Sequence, residues 1–214
     1  LNIPCIVAVV MLPNAPVHDG IRQFFSILPF LAYMSALGFC YFSEFIAALP
    51  LKAYVRQSIL SFCLLCFFLY GGYQLKRYHP YELSYYNELI GGLRGAYERG
   101  MEITYWFDVI TPEFLEFLNR KVPDGAQINI WPPNREYFTF LQAKGKIKQG
   151  LTFIPLTIQD LLKKNEALPE PPVYIILMSR LSTFEAVYWD ILKKCTPVFS
   201  LNLEGVPLVS LYRW

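Results

Sequence analysis

Charge is nearly missing from the first third of this chain. The 214 residues carry 19 basic and 17 acidic side chains, yet only five of them precede Gln74: Asp19, Arg22, Glu44, Lys52 and Arg56. From Gln23 to Ser43, and again from Gln57 to Leu75, there is no Asp, Glu, Lys or Arg. Each run is long enough to cross a hydrocarbon layer of roughly 30 Å as a helix rising about 1.5 Å per residue. A helix is the natural form there, because lipid offers no water to unpaired backbone groups.

Other absences exclude other classes. An excess of basic residues is missing: the net charge of +2 and the lack of a basic stripe exclude an electrostatic nucleic-acid binder. A disulfide framework is missing, since Cys5, Cys40, Cys63 and Cys66 fall in apolar runs and leave Cys195 alone. Cys63 and Cys66 have CxxC spacing but sit mid-span without a nearby histidine, which favours packing over metal. There is no HExxH, no GxSxG, no Cys/His pair at catalytic spacing, and no phosphate-binding glycine loop after a strand. The residues therefore identify no cofactor, no metal ligand set and no self-contained active site.

What remains is a two-part organisation, with a transmembrane region over 1–75 and an α/β domain over 76–214. Leu1–Leu12 reads as the end of a membrane helix, and we expect the chain to be a fragment of a longer protein. Pro13, Pro16 and Gly20 break that helix. A second runs over about 21–42 with Pro29 as a kink, and a third over about 56–73. Ser43–Val55 is the expected connector. Lys52 and Arg56 against Glu44 place it on the cytoplasmic side, which puts the His18–Arg22 loop and everything after Gln74 on the opposite face.

The distal part alternates helix and strand signals. Glu82–Asn87 reads as extended and Glu88–Arg99 as helical. Thr111-Pro112-Glu113 opens a helix that runs to about Arg120. Ala126–Trp131 reads as a strand, Arg135–Ala143 as a helix, and Thr157–Lys164 as another short one. Val173–Met178 is dense enough in apolar residues to be an interior strand. Ser182-Thr183-Phe184-Glu185 reads as a capping box leading a helix to Lys194. Val198–Leu203 and Val206–Tyr212 flank Glu204-Gly205 as a hairpin. The fold class expected is a membrane α-helical segment, two full spans plus a partial first one, followed by a small extracytoplasmic α/β domain with a mixed sheet.

Two constellations could carry chemistry. His18-Asp19-Gly20-Ile21-Arg22 gathers an imidazole, a carboxylate and a guanidinium at the mouth of a membrane helix. Arg22 in a first helical turn suits a phosphate at headgroup depth. The plainer reading is a snorkelling arginine with Asp19 as a cap. Tyr78-His79-Pro80-Tyr81-Glu82-Leu83-Ser84-Tyr85-Tyr86-Asn87, followed by Gly91-Gly92, crowds aromatics where the third helix ends. An interfacial aromatic belt is the plain reading. A platform for a sugar ring, with Asn87 and Glu82 as hydroxyl partners, is the sharper one.

Taken in order, the His-Asp-Gly-x-Arg loop, the Phe24-Phe25…Pro29-Phe30 helix, the His79–Leu89 exit segment with Gly91-Gly92, Gly100 and Tyr105-Trp106 resemble a family. They look like the C-terminal portion of a family 39-type membrane glycosyltransferase, related to dolichyl-phosphate-mannose protein mannosyltransferases and built on the GT-C architecture. The resemblance covers roughly Val10–Asp108. It implies a polyprenyl-phosphate sugar donor, a protein, lipid or glycan acceptor outside the cytoplasm, and a catalytic carboxylate in a loop upstream of these residues. Lipid-phosphate or sugar contacts are expected at His18, Asp19, Arg22, His79, Tyr81, Tyr86 and Asn87. The competing function is a non-enzymatic, membrane-anchored α/β module that binds a partner or glycan.

Overall fold

A computed structural model describes residues 2–10, 26–105, 107–154 and 172–213. The expected loop at Pro13–Gly20, the start of the second span and the Thr157–Lys164 helix lie outside the described residues. The chain divides into two compact units, Leu1–Arg77 and Tyr78–Trp214.

The first unit holds α1 (Asn2–Val10), α2 (Leu28–Ala48) and all but the last residue of α3 (Ala53–Tyr78). Pro29 does not kink α2. It lies in the first turn, where a missing N–H costs nothing and a fixed φ helps. The expected connector over Ser43–Val55 is corrected as well, because α2 runs through Ser43 and Glu44 to Ala48. Ser35 and Ser43 turn their hydroxyls back onto the carbonyls of Leu31 and Cys40, at 2.8 and 2.7 Å, so neither needs water. Pro50 ends the helix by forcing Leu49 into an extended conformation, φ −68° and ψ 145°. Arg56, inside α3, donates to the carbonyl of Ala47 near the end of α2. At 26 residues α3 overruns the expected 56–73 at both ends and is roughly 39 Å long. Gly71 and Gly72 do not interrupt it.

Apolar side chains on both long helices stay uncovered: Phe62, Phe67 and Phe68 are 65–70% exposed, and Tyr33 and Met34 are exposed too. Both helices are long and apolar enough to cross a membrane. Between them lies an apolar groove of about 520 Å³, lined by Ser35, Ala36, Phe39, Phe42, Cys63, Leu64 and Phe67.

The second unit is built on a five-stranded mixed sheet. Its strands are β1 (Gln127–Trp131), β2 (Thr152–Phe153), β3 (Val173–Met178), β4 (Phe199–Leu203) and β5 (Val206–Arg213), in spatial order β2-β1-β3-β5-β4. The β1–β2 and β1–β3 pairs are parallel, and the β3–β5 and β4–β5 pairs antiparallel. Among the described residues, helices α4 (Gly92–Glu98), α5 (Pro112–Lys121), α6 (Arg135–Ala143) and α7 (Ala186–Lys194) accompany the sheet.

All six residues of β3 are buried, as an interior strand requires. Their alternation assigns them to two cores. Tyr174, Ile176 and Met178 join Leu93, Phe114, Leu118 and Phe138 from α4, α5 and α6. Val173, Ile175 and Leu177 join Tyr188 and Ile191 from α7, together with Tyr212. The sheet is thus covered on both faces. At the β4–β5 turn, Glu204 and Gly205 both take positive φ, 54° and 78°, which gives a two-residue turn the twist its strands need.

Several local expectations change. Glu82–Asn87 is not extended, for Glu82–Ser84 is a 3₁₀ turn. The Glu88–Arg99 helix is split by Gly91, which at φ 92° closes a 3₁₀ turn over Glu88–Ile90 before α4 begins. The Ser182 capping box does not form. The carboxylate of Glu102 takes the Ser182 N–H that Glu185 would have bonded, a further 3₁₀ turn occupies Leu181–Thr183, and α7 starts at Ala186.

Candidate functional site

The exit segment begins at the last residue of α3. Tyr78 is buried, its ring meets that of Tyr85 edge-on at 5.2 Å, and its hydroxyl donates to Glu204 at 3.2 Å. His18, Asp19 and Arg22 lie outside the described residues, so the residues the structure places here are His79, Tyr81, Tyr86 and Asn87.

His79 is exposed and its Nδ1 stands 2.6 Å from Glu82 Oε1. That imidazole holds the Glu82 carboxyl below the usual carboxylate range. Tyr81 and Tyr86 do not form an open platform. Both rings pack against the larger core. Burial raises the Tyr81 phenol, with the Thr111 hydroxyl opposing it and the Glu113 charge adding to it. Tyr86 is raised further, first by burial, then by the Tyr105 hydroxyl and the Glu102 charge, and it donates to the Glu102 carbonyl. Asn87 is occupied locally: its Oδ1 accepts from the N–H groups of Leu89 and Ile90, at 3.1 and 3.4 Å, and caps the 3₁₀ turn.

Downstream, the turn is fastened to α4. Arg99 donates one guanidinium nitrogen to the carbonyls of Ile90 and Gly95, at 2.7 and 2.8 Å. Gly95 makes this possible, because a Cβ there would lie 2.1 Å from the Ile90 oxygen. Gly91 donates to Glu88 and Gly92 to Asn87, each at 3.0 Å. The result is a rigid turn that presents Leu89 to the outside at 96% exposure.

A second set of groups lies at the carboxyl edge of the parallel strands. The chain leaves β1 for α6 on one face and leaves β3 for α7 on the other, which is the arrangement that opens a crevice in α/β sheets. Glu102 lies 3.7 Å from the Arg180 guanidinium beyond β3, and Phe107 stacks at 4.9 Å on Tyr137 at the start of α6. Asp108 Oδ1 accepts from the Tyr105 N–H at 3.2 Å, while its Oδ2 is buried and makes no hydrogen bond. Burial raises this carboxyl to about 6, against the pull of backbone donors at Tyr105, Asp108 and Val109. Trp131 stacks on Tyr188 at 4.2 Å with its indole N–H unpaired. Sequence alone gave Asp108 no role, because nothing in it marks this carboxyl as buried.

Among the described residues no group of three or more His, Cys, Asp or Glu side chains is placed to hold a metal ion. No protein-family model, no curated protein and no solved structure matches the chain.

Proposed function

We propose that the chain is the C-terminal part of an integral-membrane glycosyltransferase, which moves a sugar from a polyprenyl-phosphate carrier to an extracytoplasmic protein, lipid or glycan acceptor. The observation that carries the reading is the pair α2–α3: two successive apolar helices, long enough to span, whose large side chains are left uncovered. A helix at the core of a soluble protein would bury them. With Lys52 and Arg56 at a cytoplasmic connector, two spans return the chain to the side from which it came. His18–Arg22 before α2 and the exit segment after α3 then share the outer face.

In this reading acid–base work belongs to the upstream carboxylate, and Arg22 stabilises the departing lipid phosphate as negative charge develops on it. His79 and Glu82 lie on the same side as the donor headgroup. Arg22→Ala in the full-length enzyme is expected to cost on the order of 3 kcal/mol, about a hundredfold in transfer rate, with insertion intact. Arg22→Lys recovers only part, since an ammonium keeps the charge and loses the fork. Near wild-type transfer by Arg22→Ala at saturating lipid donor overturns the assignment.

The competing reading, an anchored module that binds a partner or glycan, draws on the polar groups at the sheet's carboxyl edge. It predicts a full-length protein with no sugar transfer at all.

A further inference from the structure

We propose that the corner where α5 and α6 end is a docking surface for an anionic glycan, one carrying carboxylate or phosphate groups along its length, held by Lys121, Lys144 and Lys146. The inference rests on the readings above in taking a glycan as the partner. Its test measures binding, which a chain that transfers no sugar can still show.

The net charge of +2 hides a local segregation. In α5 and α6 the first turns hold Glu113 and Glu136, while basic residues gather at the far ends. Arg120 and Lys121 close α5, and Lys144, Lys146 and Lys148 follow α6. Hydrogen bonds bring the two ends together. Asn119 Nδ2 donates to the Lys146 carbonyl at 2.8 Å, and its Oδ1 accepts from the Lys148 N–H at 2.9 Å. Lys148 Nζ reaches the Val122 carbonyl just past α5. Lys121 therefore lies between Asn119 and Val122, the two points at which the loop is fastened.

Two of these cations are matched already. Arg120 faces Glu116 at 3.5 Å, and Lys148 faces Asp124 at 2.8 Å. Lys121, Lys144 and Lys146 are exposed and form no ion pair with a described carboxylate. The loop that carries two of them is fixed. Ile147 is buried in the larger core, and Gln142 Nε2 donates to the carbonyls of Lys148 and Leu151 at 2.9 and 3.0 Å.

The chemistry of the corner selects the partner. Lysine is a point charge on a flexible stem and lacks the guanidinium fork, so it reads charge rather than the plane of a single anion. A chain with repeated anions meets three such charges at once. The carbonyls of Val122, Lys146 and Lys148 are taken within the protein, which leaves an extended peptide few acceptors to pair with. Lys121 and Lys144 also answer the dipoles of the helices they end. That role is read in stability and docking is read in affinity, so experiment separates them.

The test uses the full chain in phosphatidylcholine nanodiscs, whose lipid adds no net charge, and a fluorescein-labelled oligogalacturonate read by anisotropy. The combined Lys121→Gln, Lys144→Gln and Lys146→Gln variant is expected to bind about tenfold more weakly at low salt. Wild-type binding should fade as salt rises. A charge-matched control, Lys193→Gln with Lys194→Gln and Arg213→Gln, should bind as the wild type does. Equal losses in the two variants would reduce the effect to net charge and overturn the proposal. So would unchanged binding by the first variant, or no binding by the wild type. Poly-glutamate binding as tightly as oligogalacturonate would overturn the choice of a glycan over an acidic peptide. Should the triple variant fail to melt cooperatively, acetylation of the unaltered chain decides: oligogalacturonate must slow modification of Lys121, Lys144 and Lys146 relative to Lys193, and uniform rates refute the site. None of these outcomes bears on Arg22→Ala, whose transfer assay tests the enzymatic reading separately.

Discussion

Phenylalanine occupies opposite environments in the two units. Phe67 and Phe68 on α3 are 70% and 69% exposed, whereas Phe114 on α5 and Phe138 on α6 are fully buried. The first unit also leaves the α2–α3 groove unfilled, where the second interdigitates its side chains on both faces of a sheet. The same residue type is common to both units and its burial is inverted, as two different solvents would produce. In the second, water drives apolar groups inward. In the first, apolar surroundings would not, and the pairing of backbone groups along each helix would fix the fold.

The sharpest break of that contrast compares truncations. Phe114→Ala is expected to cost about 3–5 kcal/mol, because it removes a buried ring and leaves a cavity. Phe68→Ala is expected to stay within about 0.5 kcal/mol. Denaturant unfolding of the reconstituted chain measures both, and an equal loss at Phe68 would place it in a protein core. Charge is the next probe. Leu69→Lys is expected to cost roughly 2.5–3.5 kcal/mol on membrane insertion. Phe140→Lys, on the exposed face of α6, is expected to leave folding almost unchanged. Glycosylation-reporter insertion assays and thermal melts read the two, and tolerance of lysine at 69 would remove the span.

The smallest expected effect belongs to Asp108 and to pH. Its folded-state pKa of about 6 exceeds the ordinary carboxyl value of 3.8. Between about pH 4 and pH 6 the folded chain therefore holds a proton that the unfolded chain has lost, and stability falls as pH rises through that window. Asp108→Asn removes this slope, so the variant's melting temperature is expected to gain on the wild type from pH 4 to pH 7. A difference that does not change with pH would show that Asp108 titrates normally.

Legibility in the sequence followed the range of the interactions. Arg135–Ala143 was readable because Asn134 caps it through its own side chain, and the final hairpin because Glu204-Gly205 is a local turn signal. Val173–Met178 announced its burial by being apolar without interruption. Ser43 and Glu44 misled, since a hydroxyl bonded within the helix does not look different in sequence from one that stops it. The Ser182 box failed because Glu102, 80 residues away, competes for the same N–H. β2, at two residues, is too short to show a period. At the candidate site, Tyr81 and Tyr86 read as surface aromatics because Thr111 and Glu102, which they meet, are distant in the chain.

The place of β5 has a consequence for biosynthesis. It is made after every other described strand, yet it lies between β3 and β4 and pairs with both. Its turn also supplies Glu204 to the hydroxyl of Tyr78, 126 residues earlier. As the chain leaves the ribosome, β1, β2 and β3 can align while the edge of β3 stays unpaired, and that open edge persists until residues through Arg213 have emerged. Closure of the sheet and fastening of the helix end are thus the same late event. Translation that stalls before Val206 would leave the helices made, a bare strand edge waiting beyond them, and the end of α3 without its clasp.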